Sequence, residues 1–149
     1  MADQPLLLAL DQGTSSSRAA VFDAKGDLVA SATAPLPNQY PADGWVEQHP
    51  GDIWNSQRQA LQDLHQQLSE AQRLAVVSCG ITNHRETTVL WRRSSGNPCG
   101  PALVWQDGRT ADICQGWKAD GLEAAWCQRT GLLLDPYFSA SKIRWMLEH

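Results

Sequence analysis

The segment at residues 11–18, DQGTSSSR, concentrates polar side chains directly after the apolar run at residues 6–10. Gly13 permits a tight turn, and consecutive amide N–H groups around such a turn can bind an anion. Asp11, at the end of the apolar run, is placed to hold a Mg²⁺ that bridges phosphate oxygens. The added hydroxyl donors and the fixed positive charge belong to Thr14, Ser15, Ser16 and Arg18. The segment is therefore a candidate site for the phosphates of a nucleoside triphosphate.

The same residues also fit a polar hairpin whose Ser and Thr side chains bond only to their own backbone. The segment is not a P-loop, because no lysine follows the glycine and the next element has the pattern of a strand. Residue types alone leave both interpretations open.

A second polar group lies in residues 81–91, ITNHRETTVLW, at the end of a predicted strand. In open α/β sheets, ligands bind at the carboxyl ends of strands. Arg85 offers only donors and Glu86 only acceptors, so together they can fix two neighbouring hydroxyls of a small polyol. Each hydrogen bond to a charged group is worth about 1.5–3 kcal/mol. The alternative is an ion pair in a solvated turn, which contributes little.

The elements that must position these groups follow from the hydrophobic pattern. Residues 6–10 and two runs within 18–36, joined by a turn at 23–27, predict a three-stranded antiparallel meander. From Asp52, apolar residues recur at helical spacing, and Pro50 suits the start of that helix. The apolar run at 74–82 predicts a strand covered on both faces, with Cys79 buried.

The second half of the chain predicts shorter elements. Residues 87–93 and 102–107 have strand-like composition, and residues 111–130 form a helical pattern in two pieces broken near Gly121. A further helical pattern runs from residue 139 to residue 149. Helices alternating with strands, after an antiparallel start, predict an α/β domain with a mixed sheet.

Composition narrows the class of protein. The 149 residues carry a net charge of −4, which gives no reason to expect nucleic acid or an anionic membrane as a partner. The N-terminal apolar stretch is too short for a membrane span or a signal sequence. Isolated cysteines without CxxC spacing suggest a reducing compartment, so we expect a cytoplasmic protein.

Five segments, in order along the chain, resemble the FGGY family of carbohydrate kinases, in particular its glycerol-phosphorylating members. The segments are LALDQGTSSSR (8–18), GWVEQHPGDIW (44–54), GITNHRETTVLW (80–91), LVWQDGRT (103–110) and TGLLLDPYFSASKIRWML (130–147). The fold implied by the resemblance is the ribonuclease-H-like, actin-like ATPase domain. Its mixed five-stranded sheet begins with three antiparallel strands.

The resemblance also implies roles for particular residues, with ATP, Mg²⁺ and glycerol as ligands. Asp11 would orient the metal, and Trp105 would pack on the carbon skeleton of the substrate. The ATP phosphates would be contacted by Thr14, Ser15, Ser16 and Arg18, and the glycerol hydroxyls by Arg85, Glu86 and Tyr137. Three positions depart from the family pattern: His84 replaces a glutamine, Gly108 replaces an arginine found in many glycerol-phosphorylating members, and His49 replaces an aspartate or asparagine that would cap the following helix better.

By the same resemblance, residues 1–149 are an incomplete N-terminal domain, and a second domain beyond them carries the catalytic base. This chain would then hold no catalytic residue and be inactive alone, while the full-length protein would be a homo-oligomer. Two alternatives stay open. One is an FGGY kinase for another substrate such as a pentulose, and the other is a non-catalytic, actin-like nucleotide-binding module.

Overall fold

The computed structural model describes residues 4–149, which form two compact units. The sheet unit comprises residues up to Pro37 together with Gly51–His84. The helical unit comprises Asn38–Pro50 and Arg85–His149. The candidate phosphate residues belong to the sheet unit, and the candidate polyol residues belong to the helical unit.

The sheet unit opens with the antiparallel meander that the sequence predicts. Its strands are β1 (Leu6–Gln12), β2 (Ser16–Asp23) and β3 (Leu28–Pro35). The turn between β2 and β3 lies where expected, with Gly26 at φ +89. The Asp23 carboxylate accepts hydrogen bonds from the backbone N–H groups of Lys25 and Asp27, each at 2.9 Å, which closes this turn.

A fourth strand, β5 (Val76–Thr82), pairs in parallel with β1 and gives the order β3-β2-β1-β5. The α/β class and the mixed sheet are confirmed, but the sheet has four strands within residues 4–149, one fewer than expected. Helix α1 (Pro50–Gln67) begins at the predicted proline. It buries the apolar residues Ala60 and Leu64 against one face of the sheet.

The short helix α2 (Glu70–Leu74) was not expected from the apolar pattern. A capping box starts it: the Ser69 hydroxyl accepts from the backbone N–H of Gln72, whose side chain accepts from the Ser69 N–H. This reciprocal arrangement satisfies two donors at the helix start. Ser-x-x-Gln was therefore the local signal for this helix.

The predicted burial of β5 is wrong for the described residues. Val77 is 67% exposed and Ile81 76% exposed, and Cys79 is also exposed. Successive residues of β5 are exposed, so neither of its faces is covered within the described residues, and β5 also lies at the edge of the sheet with β1 as its single neighbouring strand there. An apolar strand sequence indicates a preference for burial, but neighbouring segments decide whether the strand is covered.

The helical unit contains a two-stranded antiparallel sheet and three helices. They are β4 (Glu47–Gln48), β6 (Ala102–Leu103), α3 (Ala111–Ala119), α4 (Glu123–Thr130) and α5 (Ser139–Glu148). The break between α3 and α4 falls at Gly121, whose φ of +76 favours glycine, and this confirms the predicted interruption.

The strand predicted at 87–93 is wrong, and the strand predicted at 102–107 is confirmed only at Ala102–Leu103. Residues 87–93 make isolated bridges, with Thr88 opposite Leu103 and Trp91 opposite Pro98. A turn that begins at Arg92 ends the extended run before a ladder can form. None of the helices in residues 4–149 is long and apolar enough to cross a lipid bilayer.

Candidate phosphate and polyol sites

The segment at residues 11–18, the candidate phosphate site, forms a hairpin between β1 and β2 whose tight turn requires glycine. We call it the phosphate hairpin. The backbone N–H of Gly13 donates to the carbonyl of Ser16 at 3.0 Å. A Cβ atom on Gly13 would lie 2.8 Å from the same carbonyl oxygen, closer than real Cβ atoms come. The turn is shorter than expected from the sequence, because Ser16 and Arg18 already belong to β2.

The two faces of this hairpin carry different chemistry. Asp11 and Arg18 are register partners across β1 and β2, so both side chains lie on one face, and both are exposed. On the other face, the Ser17 hydroxyl donates to Gln12 Oε1 at 2.9 Å and lies 2.7 Å from the Ser56 hydroxyl of α1. Ser17 is fully buried and anchors the hairpin to α1, so it is not available to a phosphate.

The predicted phosphate ligands are accessible to different degrees. Thr14 and Ser16 are half-buried, whereas Ser15 and Arg18 are exposed. Within residues 4–149, no group of three or more His, Cys, Asp or Glu side chains could hold a metal ion. Asp11 is an exposed single carboxylate at the end of β1.

The candidate polyol pair, Arg85 and Glu86, combines an exposed cation with a constrained carboxylate. Arg85 is exposed, and in the described part of the chain its guanidinium makes no hydrogen bond or ion pair. Glu86 is half-buried and has φ 62, the left-handed region that costs a non-glycine residue about 1–3 kcal/mol. Glu86 Oε2 accepts a hydrogen bond from the Ser139 hydroxyl at 3.4 Å. This bond joins the pair to the first residue of α5.

Tyr137 and Trp105 form an aromatic wall in the same unit. Their ring centroids are 5.5 Å apart with an interplanar angle of 60°. Tyr137 is 36% exposed, and its backbone N–H donates to Asp135 Oδ1 at 2.8 Å. Because Ser139 follows Tyr137 by two residues, the hydrogen bond to Glu86 brings the carboxylate and the tyrosine to one region. Trp105 and Tyr137 are therefore in ring contact, and Glu86, which follows Arg85, is bonded to the residue two positions after Tyr137.

Sequence reasoning missed a buried ionic cluster that supports this region. The Arg109 guanidinium bonds at 2.7 Å to both Glu47 Oε1 and Asp107 Oδ2, and its side chain is 1% exposed. It lies 3.7 Å from the ring centroid of Trp45 and 4.7 Å from that of Trp145. Burial alone would lower the pKa of Arg109, but hydrogen bonds to the two carboxylates outweigh burial and raise the pKa.

Asp107 also fixes the backbone on both sides of this cluster. Its carboxylate accepts from the backbone N–H of Val46 at 2.7 Å and from that of Arg109 at 3.0 Å. The residue is 1% exposed and lies two positions after Trp105, so it fixes the segment that carries the tryptophan. Asp-Gly-Arg was a visible motif, but nothing local indicated Glu47 as a partner.

His84 and Gly108, two of the departures from the family pattern, differ in surroundings. His84 is half-buried, and its ring nitrogens have no hydrogen-bond partner in the described residues. Burial lowers the pKa of His84, which keeps the ring neutral at neutral pH. Gly108 is exposed, and a Cβ there would make an ordinary 3.5 Å contact with the Gly44 carbonyl. A larger side chain at position 108 is therefore compatible with this backbone.

Comparison with known proteins assigns the family. The model of the N-terminal domain of the FGGY family of carbohydrate kinases matches residues 6–149. A glycerol kinase from Rhodospirillum centenum is 52% identical over 153 residues, which cover 100% of this chain and 30% of that protein. The chain thus spans less than a third of the length of this relative.

Solved structures agree with the fold. A crystal structure of Plasmodium falciparum glycerol kinase with ADP has a TM-score of 0.86 and 27% identity, covering 98% of this chain and 29% of that one. A xylulose kinase from Rhodospirillum rubrum has a TM-score of 0.86 and 26% identity, covering 97% and 29%. With the family match over nearly its whole length, this chain belongs to the FGGY family of carbohydrate kinases.

Proposed function

We propose that the full-length protein containing this chain transfers the terminal phosphoryl group of ATP to a terminal hydroxyl of glycerol, forming glycerol 3-phosphate. The observation that carries the proposal is the Ser139–Glu86 hydrogen bond, which links Glu86 to the start of α5, two residues after Tyr137. The glycerol kinases that are about half identical to this chain support the choice of substrate.

The polyol residues supply complementary chemistry. The Arg85 guanidinium donates a hydrogen bond to one hydroxyl oxygen, while the Glu86 carboxylate accepts a hydrogen bond from the neighbouring hydroxyl. The Tyr137 hydroxyl can do either, and the Trp105 ring covers the carbon atoms. A substrate that lacks one of these hydroxyls would leave a charged group without a partner, which disfavours it by a large factor.

The hairpin residues supply binding for the nucleotide. Backbone N–H groups near Gly13, the three hydroxyls and Arg18 donate to phosphate oxygens, and they thereby offset the charge of the triphosphate. Asp11 would hold Mg²⁺, which supplies charge neutralisation of the phosphates when bound. An exposed carboxylate on the same face as an exposed arginine suits a ligand that carries both phosphate and metal.

Catalysis also needs a base that deprotonates the attacking hydroxyl, and we place it in a second domain outside residues 1–149. Phosphoryl transfer depends mainly on positioning and charge stabilisation, so this chain would contribute both without contributing the base. We further propose a cytoplasmic homo-oligomer for the full-length protein.

A pentulose kinase is the second candidate. The xylulose kinase from Rhodospirillum rubrum shares the fold of this chain at a TM-score equal to that of the glycerol kinase structure. A ketopentose presents neighbouring hydroxyls to the same donors and acceptors, so the hydrogen-bonding groups of Arg85 and Glu86 alone suit either substrate. Glycerol is favoured because the relatives that are about half identical to this chain are glycerol kinases.

The proposed role of the polyol pair is tested by Arg85→Ala in the full-length protein. Arg93→Ala is the control, because it removes another exposed arginine of the helical unit. We expect KM for glycerol to rise about 10- to 100-fold in Arg85→Ala because a charged hydrogen bond is lost. KM for ATP should be unchanged, and Arg93→Ala should resemble the wild type. A non-catalytic module would show no glycerol-dependent ATP turnover in any variant, which would refute the proposal.

A further inference from the structure

Lys142 on α5 is the largest side chain that is fully buried, with 0% of its surface exposed. Its Nζ donates to two consecutive backbone carbonyls, those of Pro136 and Tyr137, the latter at 3.3 Å. Lysine is almost never fully buried without partners for its charge. The partners here are the peptide groups that carry the candidate polyol ligand Tyr137.

These bonds constrain the backbone of Tyr137 on both sides. Its N–H donates to Asp135 Oδ1 at 2.8 Å, and its carbonyl accepts from Lys142. Tyr137 as a whole is 36% exposed, and its phenol ring, which packs on Trp105, is the part of the residue left to meet a ligand. A rigid backbone beneath an accessible side chain is the arrangement that a positioned binding group needs.

A purely structural explanation of Lys142 is disfavoured by the cost of burying its charge. Burial lowers the pKa of Lys142, and this effect is opposed by Asp107, Cys114, Asp135 and Glu86. A methionine would fill the same space without desolvating an ammonium group. We therefore attribute the presence of a charged donor at position 142 to its hydrogen bonds with the carbonyl groups of Pro136 and Tyr137.

We propose that Lys142 is a positioning residue for the polyol, acting through the backbone of Tyr137 to hold the tyrosine hydroxyl against the substrate. This inference rests on the proposed function and extends it to a residue that does not touch the substrate. Lys142 contributes to the affinity for the acceptor alcohol and leaves nucleotide affinity unaffected.

The test compares Lys142→Met with Lys118→Met in the full-length protein. Lys118 is a partly exposed lysine of the same unit, paired with Glu123 at 3.4 Å, and serves as the matched control. We expect Lys142→Met to raise KM for glycerol about tenfold, while KM for ATP and the control stay within about twofold of wild type. Lys142→Arg, which retains a charged donor, should recover part of the affinity.

A double-mutant cycle shows whether Lys142 acts through Tyr137. If it does, the combination of Lys142→Met with Tyr137→Phe raises KM for glycerol by clearly less than the product of the two single effects. Independent effects that multiply would overturn the proposal, as would equal increases in KM for glycerol and ATP. If Lys142→Met does not fold, Lys142→Gln replaces it, and an unchanged KM for glycerol then overturns the proposal.

Failure of the proposed function is recognisable separately. Wild-type protein that phosphorylates a ketopentose and ignores glycerol refutes the glycerol assignment. The same comparison of KM values is then made with that ketopentose. A selective increase in KM for the sugar in Lys142→Met still supports the positioning role, and an unchanged KM refutes it.

Discussion

At the scale of single residues, Gly13 shows how backbone geometry selects one amino acid. An alanine Cβ there would lie 2.8 Å from the Ser16 carbonyl oxygen, and backbone atoms cannot yield as a flexible side chain could. Gly13→Ala in the full-length protein must therefore widen this turn, which we propose binds the ATP phosphates. We expect KM for ATP to rise about tenfold, with KM for glycerol unchanged.

The control for that substitution is Gly100→Ala, because a Cβ at Gly100 meets no atom within 4 Å. Steady-state kinetics with each substrate varied in turn separate the two effects. If Gly13→Ala binds ATP as tightly as the wild type, the hairpin does not contact the nucleotide phosphates.

His84 gives a prediction about pH. Because burial lowers the pKa of His84 in the folded protein, the unfolded chain takes up a proton at a higher pH than the folded chain does. Stability therefore falls as the pH drops through the ordinary histidine pKa, between about pH 7 and about pH 5. His84→Gln removes this contribution, so its Tm should fall less than that of the wild type over this range.

His65→Gln, which replaces an exposed histidine of the same unit, is the control for that experiment. Thermal unfolding of the full-length variants at both pH values gives the comparison. Equal pH dependence in wild type and His84→Gln would mean that His84 titrates normally.

At the scale of elements, Asp107 determines how the segment after β6 is held. Its buried carboxylate accepts hydrogen bonds from the backbone N–H groups of Val46 and Arg109 and from the Arg109 guanidinium. It therefore joins the backbone before β4 to the backbone after β6. Asp107→Asn leaves the Arg109 charge buried with one carboxylate instead of two. Breaking a buried ion pair typically costs about 3–5 kcal/mol, and the Glu47 pair that remains should reduce this cost.

Chemical denaturation of full-length Asp107→Asn should therefore show a loss of about 2–3 kcal/mol in the free energy of unfolding. Asp112→Asn, an exposed carboxylate in the first turn of α3, should change it by less than about 0.5 kcal/mol. A similar small change in both variants would show that the cluster adds little to the stability of the helical unit.

The elements also show what sequence could predict. The meander, the start of α1 and the break at Gly121 were predicted because each depends on local pattern and turn chemistry. The exposure of β5 depends on which segments cover it, and local pattern does not specify that. The strand predicted at 87–93 was wrong because the turn that begins at Arg92 ends the extended run. Arg85 and Glu86 were found from their motif. The cluster around Arg109 was missed because Glu47 lies 62 positions away in sequence.

At the scale of the whole molecule, we propose that this chain binds the substrates and that a second domain supplies the base. The 149-residue chain alone should then be inactive. The 149-residue chain holds the phosphate hairpin and the polyol pair, and the proposed base lies elsewhere. Purified chain should therefore show no glycerol-dependent hydrolysis or transfer of ATP in a coupled ADP assay. Turnover that persists after removal of contaminating kinases and disappears in the Arg85→Ala chain would place the base within these residues.

Whether glycerol is the acceptor is decided by kcat/KM of the full-length protein for glycerol and for D-xylulose, with ATP as donor. We expect glycerol to be preferred by at least about 100-fold, in line with the glycerol kinases that are about half identical to this chain. A higher kcat/KM for D-xylulose, or no phosphorylation of either alcohol, would contradict it.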